Sequence, residues 1–182
     1  MRYLVKLVGV FMVCFSVTSH AIEGLERDAA FFFDESCVSY RFDYSTLTDM
    51  LEYIEAKKFD PAAVKGIIPI NSMGGSVQAY IVKSQPLKKL IAYSDVACSV
   101  LIMKQKFDGS MVRDHFVSNY SLGEPKFKSE RSFVTEELYI ANAGVLKGYV
   151  FGFVSSTIAE DEGQAYSVFS LLSPEGRRLA LD

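Results

Sequence analysis

The feature that most constrains this chain is a change of hydrophobic period at Met73-Gly74-Gly75. Before it, apolar residues recur at helical spacing. After it they come in short runs separated by brief polar turns, which is the spacing of strands. Leu25, Ala29, Phe32 and Phe33 fall on one face of a helix predicted within 22–40, and Cys37 follows on nearly the same face. Leu47, Met50, Leu51 and Ile54 predict a second helix over 45–59. Ser45 or Thr46 would cap it, and Lys57-Lys58 suits its C-terminal end. Asp60-Pro61 opens a short third helix reaching about Gly66.

Beyond the glycine pair, strands are predicted over 76–83, 87–94 and 97–103, joined by Ser84-Gln85-Pro86 and Asp95-Val96. A helix over 108–120 follows, with Ser110 as a cap and Val112, Phe116 and Tyr120 on one face. Residues 122–130 read as a charged loop containing Gly123 and Pro125. Three more strands are expected over 132–140, 145–157 and 164–172, and then a loosely held tail over 173–182. Strands that follow one another through short turns pair antiparallel. The expectation is one α+β domain over 22–182. Its N-terminal helices pack on a mostly antiparallel sheet of about six strands, with one helix between two three-stranded meanders. At 49% hydrophobic residues in a chain of 182, a sizeable core is available.

Met1 to Ala21 reads as an export signal. Arg2 and Lys6 precede the apolar stretch Leu7 to Val17, and Ser19-His20-Ala21 places small residues at a cleavage site. The apolar stretch is short for a bilayer span, so no span is expected after cleavage. Removal leaves 161 residues and takes two positive charges, moving the net charge from −3 to −5. That sign argues against a nucleic-acid binder, which carries a basic excess. It suits a protein partner with a basic surface. The expected location is the bacterial periplasm.

Cleavage also removes Cys14 and His20, leaving Cys37, Cys98 and His115. Two cysteines in an exported chain point to a disulfide, here closing a loop of sixty-one positions; two buried free thiols are the alternative. Neither cysteine has a CxxC partner or a cationic neighbour that would make it reactive.

Catalytic patterns are sparse. There is no G-x-S-x-G elbow to supply a serine for His115, and a hydrolase would have to bring that histidine to an acid such as Glu124 or Asp114. No H-x-x-x-H pair is present, and Glu160-Asp161-Glu162 does not match a calcium loop, so neither metal nor cofactor is expected. Gly74-Gly75 precedes a strand rather than a helix, which is the wrong order for a phosphate loop. Glu136 and Glu137 point to opposite faces of a strand. Glu136, on the side of Val134 and Leu138, is the candidate buried acid.

One pattern suggests a surface. Tyr149, Phe151 and Phe153 share a strand face, joined by Tyr139 from the neighbouring strand, while Gly148 and Gly152 notch the other face. If a helix covers the notched face, the aromatics form an open partner or ligand surface. If the helices lie on the aromatic side, these residues are core.

The chain resembles a group of small exported proteobacterial proteins of unknown function. The likeness rests on Phe32-Phe33-x-x-x-Cys37, Gly74-Gly75-x-Val77-Gln78-Ala79-Tyr80, Cys98-Ser99-Val100 and Gly148-Tyr149, spread over roughly positions 31 to 150. The resemblance implies export and a cysteine pair, and brings no catalytic residues. The expected function is therefore non-enzymatic binding, in one version as an immunity-type inhibitor of a toxin. An envelope hydrolase and a carrier holding a small ligand on the sheet face are the alternatives.

Overall fold

The structure, a computed structural model, describes residues 24–41, 43–64, 74–83, 87–103, 107–131, 133–156 and 166–181. The first helix, α1 (Gly24–Phe33), buries Ala29, Ala30 and Phe33. It runs into a π-helical turn over Asp34–Val38, closed by the Ser39 N–H donating to the Asp34 carbonyl at 2.8 Å. The wide turn puts Ser36, Cys37 and Val38 into the core together. Asp43 stands at the N-cap position of helix α2 (Tyr44–Tyr53), its carboxylate accepting from the Ser45 and Thr46 hydroxyls at 2.8 and 2.9 Å. The helix ends well before 59 because Glu55 turns left-handed at φ +56°.

Among the described residues, eight strands form one antiparallel sheet: β1 (Lys57–Lys58), β2 (Gln78–Lys83), β3 (Lys88–Tyr93), β4 (Ala97–Met103), β5 (Phe127–Arg131), β6 (Val134–Ile140), β7 (Val150–Ser156) and β8 (Tyr166–Leu172). Their order is β1-β2-β3-β4-β8-β7-β6-β5. Two four-stranded meanders therefore meet along β4 and β8, with Val100 opposite Phe169. Helix α3 (Gly109–Asn119) joins the meanders and packs against α1 and β7. Its cap is Asp108, which accepts from the Ser110 N–H at 2.9 Å; Ser110 is the donor rather than the cap.

The α+β class and the antiparallel sheet agree with the sequence reading, but the strand count and the helix distribution do not. The two extra strands are both edges. β1 pairs Lys57 and Lys58 with Ile81 and Tyr80, inside the stretch expected to be helical. β5 occupies the expected charged loop. Neither alternates apolar with polar residues, because an edge strand outside the core needs no buried face. Helices also lie between and after the strands. A 3-10 turn at Pro61–Val64 stands where a third helix was expected, whose remainder lies outside the described residues. The expected tail forms α4 (Pro174–Leu181), with Gly176 against the β3–β4 turn. An added Cβ there would lie 2.5 Å from the Val96 carbonyl oxygen, so only glycine permits this approach. The strand expected over 145–157 begins at Val150, since a 3-10 turn (Gly144–Leu146) and Gly148 at φ +89° precede it.

Candidate functional site

Two clusters line the two faces of the sheet. α1, α2 and α3 cover the first. There Phe33 meets Phe116 edge-on at 5.1 Å and lies 6.0 Å from Phe169. Tyr120 and Phe151 are 5.3 Å apart, and Tyr139 meets Phe153 at 5.7 Å. Tyr139, Phe151 and Phe153 are buried, and Tyr149 is half-buried against them. Tyr139, Phe151 and Phe153 are therefore core beneath the helices rather than an open surface, and Tyr149 lies half-buried at the margin of that core. The helices chose that side because its large rings fill the space between a helix and a sheet, whereas the opposite side is lined by smaller residues.

Cys37 and Cys98 are joined in a disulfide across this core, with Cα atoms 5.5 Å apart. The bridge ties the turn after α1 to the centre of the sheet. A second tie is the Lys89–Asp28 ion pair at 2.7 Å, with the lysine side chain only 3% exposed. At the far side Arg113 of α3 donates to Glu137 at 2.7 Å, and Lys128 lies 3.4 Å from the same carboxylate. The buried acid is thus Glu137, on the helix-covered face with Tyr139, and not Glu136. Strand parity decides it: the face carrying Val134 and Leu138 turns away from α3.

Three tyrosines stack beneath α2. Tyr44 and Tyr93 are 4.8 Å apart, and Tyr93 and Tyr80 are 6.1 Å apart. Burial pushes the Tyr93 phenol up to about 12, against the opposing hydrogen bond to Thr48. Burial also raises Tyr44 and Tyr120. The Tyr120 hydroxyl donates to Asp34, linking the end of α3 to the π turn.

The second face was missed in the sequence. Its signal was present: β3, β4 and β8 carry adjacent apolar residues, Leu90 to Tyr93, Val100 to Met103 and Val168-Phe169, the mark of strands buried on both sides. Cross-strand pairing places Ala79, Ala92, Ser99, Ser170, Gly152, Leu138 and Phe127 in one row across seven strands. The adjoining row is Ile81, Leu90, Leu101, Val168, Val154, Glu136 and Ser129. The centre is dry. Leu101 and Val168 are fully buried, and the Ser99 and Ser170 hydroxyls satisfy each other at 2.8 Å. Toward β5 the face opens: Leu138, Ile140, Val154 and Tyr166 are half-buried and Phe127 is 43% exposed, and Met103 at the end of β4 is 41% exposed beside Tyr166. Half-exposed Glu136 is the acid among them.

The residues considered for catalysis are dispersed. The His115 ring bonds Asn119 at 2.8 Å, and Asp114 is held by Arg113 at 2.7 Å. Glu124 lies exposed in the loop after α3. Gly75 stands at φ +52° against Asp95, whose carboxylate an added Cβ would approach to 2.8 Å; the glycine pair is a close-packed turn. Among the described residues no group of three or more His, Cys, Asp or Glu could hold a metal, and no helix is long and apolar enough to cross a membrane. Residues 160–162 and the segment 1–21 lie outside the described residues. The chain matches no family model, no curated protein and no solved structure.

Proposed function

We propose that this is an exported protein that acts by binding another protein. The observation that carries the reading is the opening of the second sheet face. Apolar and aromatic side chains at Phe127, Leu138, Ile140, Val154 and Tyr166 on β5–β8, and at Met103 beside Tyr166 at the end of β4, are left partly uncovered around the acid Glu136. Contiguous apolar surface of this kind is where protein partners dock. The disulfide supports an oxidising compartment, in keeping with the leader-like Met1 to Ala21. The net charge of −3 and the position of Glu136 favour a partner with a basic surface. A toxin inhibited on its way into the cell is one such partner.

The test uses mature protein isolated from the periplasm as bait against extracts of its own and neighbouring strains. It is run beside Met103→Arg and Glu136→Arg variants. The expected result is a stoichiometric basic protein that both substitutions release. A folded bait that retains nothing, or a partner indifferent to both substitutions, would overturn the reading. Intact mass of the same material should show loss of residues 1–21.

A further inference from the structure

The two edges of the sheet are unequal. β1 is two residues long and carries two lysines, a short edge of one sign. β5 is five residues, Phe127-Lys128-Ser129-Glu130-Arg131, with only Ser129 half-buried and the rest exposed. Its inner side pairs with β6; its outer side presents main-chain donors and acceptors to solvent. Edge strands are ordinarily protected by charge, because two like charges brought opposite each other repel. The charges of β5 give that protection in some registers and withdraw it in one.

In a continuous antiparallel sheet, opposed residues point to the same face. A strand pairing with a copy of itself must therefore place the two-fold axis through a residue. Centring on Lys128 sets that lysine against itself, and centring on Glu130 does the same for the glutamate. Centring on Ser129 sets Lys128 against Glu130 twice, and Phe127 against Arg131 twice. Lys128 and Glu130 lie on the helix-covered side, opposite Glu137 and Thr135, so the ion pairs form on that side. Phe127 and Arg131 lie on the second face, where a guanidinium can rest on the ring.

We propose that the β5 edge pairs antiparallel with the β5 edge of a second copy of this chain, on a two-fold axis at Ser129, extending the sheet across two molecules. The charge pattern of the strand is complementary to its own reverse in this register alone among the three centred within its charged core. Each Lys128 would then lie among three carboxylates, its own Glu130 at 2.9 Å and Glu137 at 3.4 Å, and the Glu130 of the second copy. This surface shares Phe127 with the open part of the second face, but the inference rests on the β5 edge and its charge order and does not depend on the binding reading.

A single strand pair is a small interface, so dissociation is expected in the range of about 10–1000 µM. Sedimentation equilibrium of the mature protein over that range should show a monomer–dimer equilibrium. Glu130→Lys replaces two attractions by two repulsions and should raise the dissociation constant about tenfold or more. Exchanging the signs, Lys128→Glu with Glu130→Lys, should restore pairing. Because the exchange also acts on Glu137, a second measurement is independent of it. Ser129→Cys places two thiols across the axis at a Cα separation of about 4.5–5.5 Å, within disulfide reach, and should cross-link under mild oxidation. Phe127→Cys faces Arg131 of the second copy and should not. A monomer at every concentration, a dimer that survives Glu130→Lys, or equal cross-linking of the two cysteine variants would overturn the proposal.

Discussion

Replacing both Cys37 and Cys98 by alanine should lower the unfolding temperature by roughly 12 °C, a figure that follows from the loop the bridge closes. The two residues are separated by 61 positions. In the chain-entropy account, releasing a loop of that length frees the unfolded chain by about 4 kcal/mol. At about 2.1 cal/mol/K per residue, a chain of 161 residues, the length expected if 1–21 are removed, would unfold with an entropy near 0.34 kcal/mol/K, so 4 kcal/mol corresponds to about 12 °C. Both cysteines are almost fully buried, and the small cavity left by the sulfurs adds to the loss rather than offsetting it. Calorimetry with and without reductant separates the two contributions. Reductant should destabilise the native protein and leave the double variant unchanged. A fall of less than about 3 °C, or native thiols that react with a disulfide reagent before unfolding, would refute the bridge as the staple between helices and sheet.

Gly109→Ala should destabilise by about 2 kcal/mol in urea unfolding, since the new Cβ would lie 2.5 Å from both the Ser155 and Ser167 hydroxyls; Ser155→Ala with Ser167→Ala should recover part of the loss. Arg113→Ala strands Glu137, whose side chain is 6% exposed, with only the longer contacts from Lys128 and Tyr139, both at 3.4 Å. The expected cost is about 2 kcal/mol, and a double-mutant cycle should show it shrinking in a Glu137→Gln background. Tyr93 titrates near 12 when folded and near 10 when unfolded, so its contribution is fully present below pH 10 and lost as pH rises toward 12. Urea midpoints should therefore fall across that window, and Tyr93→Phe should fall less steeply.

The sequence was most legible where burial on one side imposes a period. α1 and α3 could be placed because Ala29, Phe33, Val112 and Phe116 must face the core together. The cysteine pair was legible from the count of cysteines and the expected compartment. The edges were not. Lys57-Lys58 and Phe127–Arg131 are strands by virtue of the neighbour they pair with, and nothing in their composition records it. The same holds for the choice of caps. Asp43 and Asp108 hold the N-cap positions, two or three residues ahead of the hydroxyl residues expected there, and accept from those same hydroxyls.

The aromatic face shows where local pattern stops deciding function. Phe151 and Phe153 on one side of β7, and Val150, Gly152 and Val154 on the other, are both apolar enough to be buried. Alternation cannot say which side a helix takes. Volume can. Three helices crossing one sheet face leave gaps that rings fill, and Phe33, Phe116, Phe151, Phe153 and Phe169 fill them as one cluster. The smaller residues of the second face pack with Phe59 and Val77 among others, and at the β5 side they are only half-buried. A binding surface in this fold is therefore expected to be aliphatic and shallow, with rings only at its margin. Substitutions at Tyr139, Phe151 or Phe153 should unfold the protein before they could report on a partner.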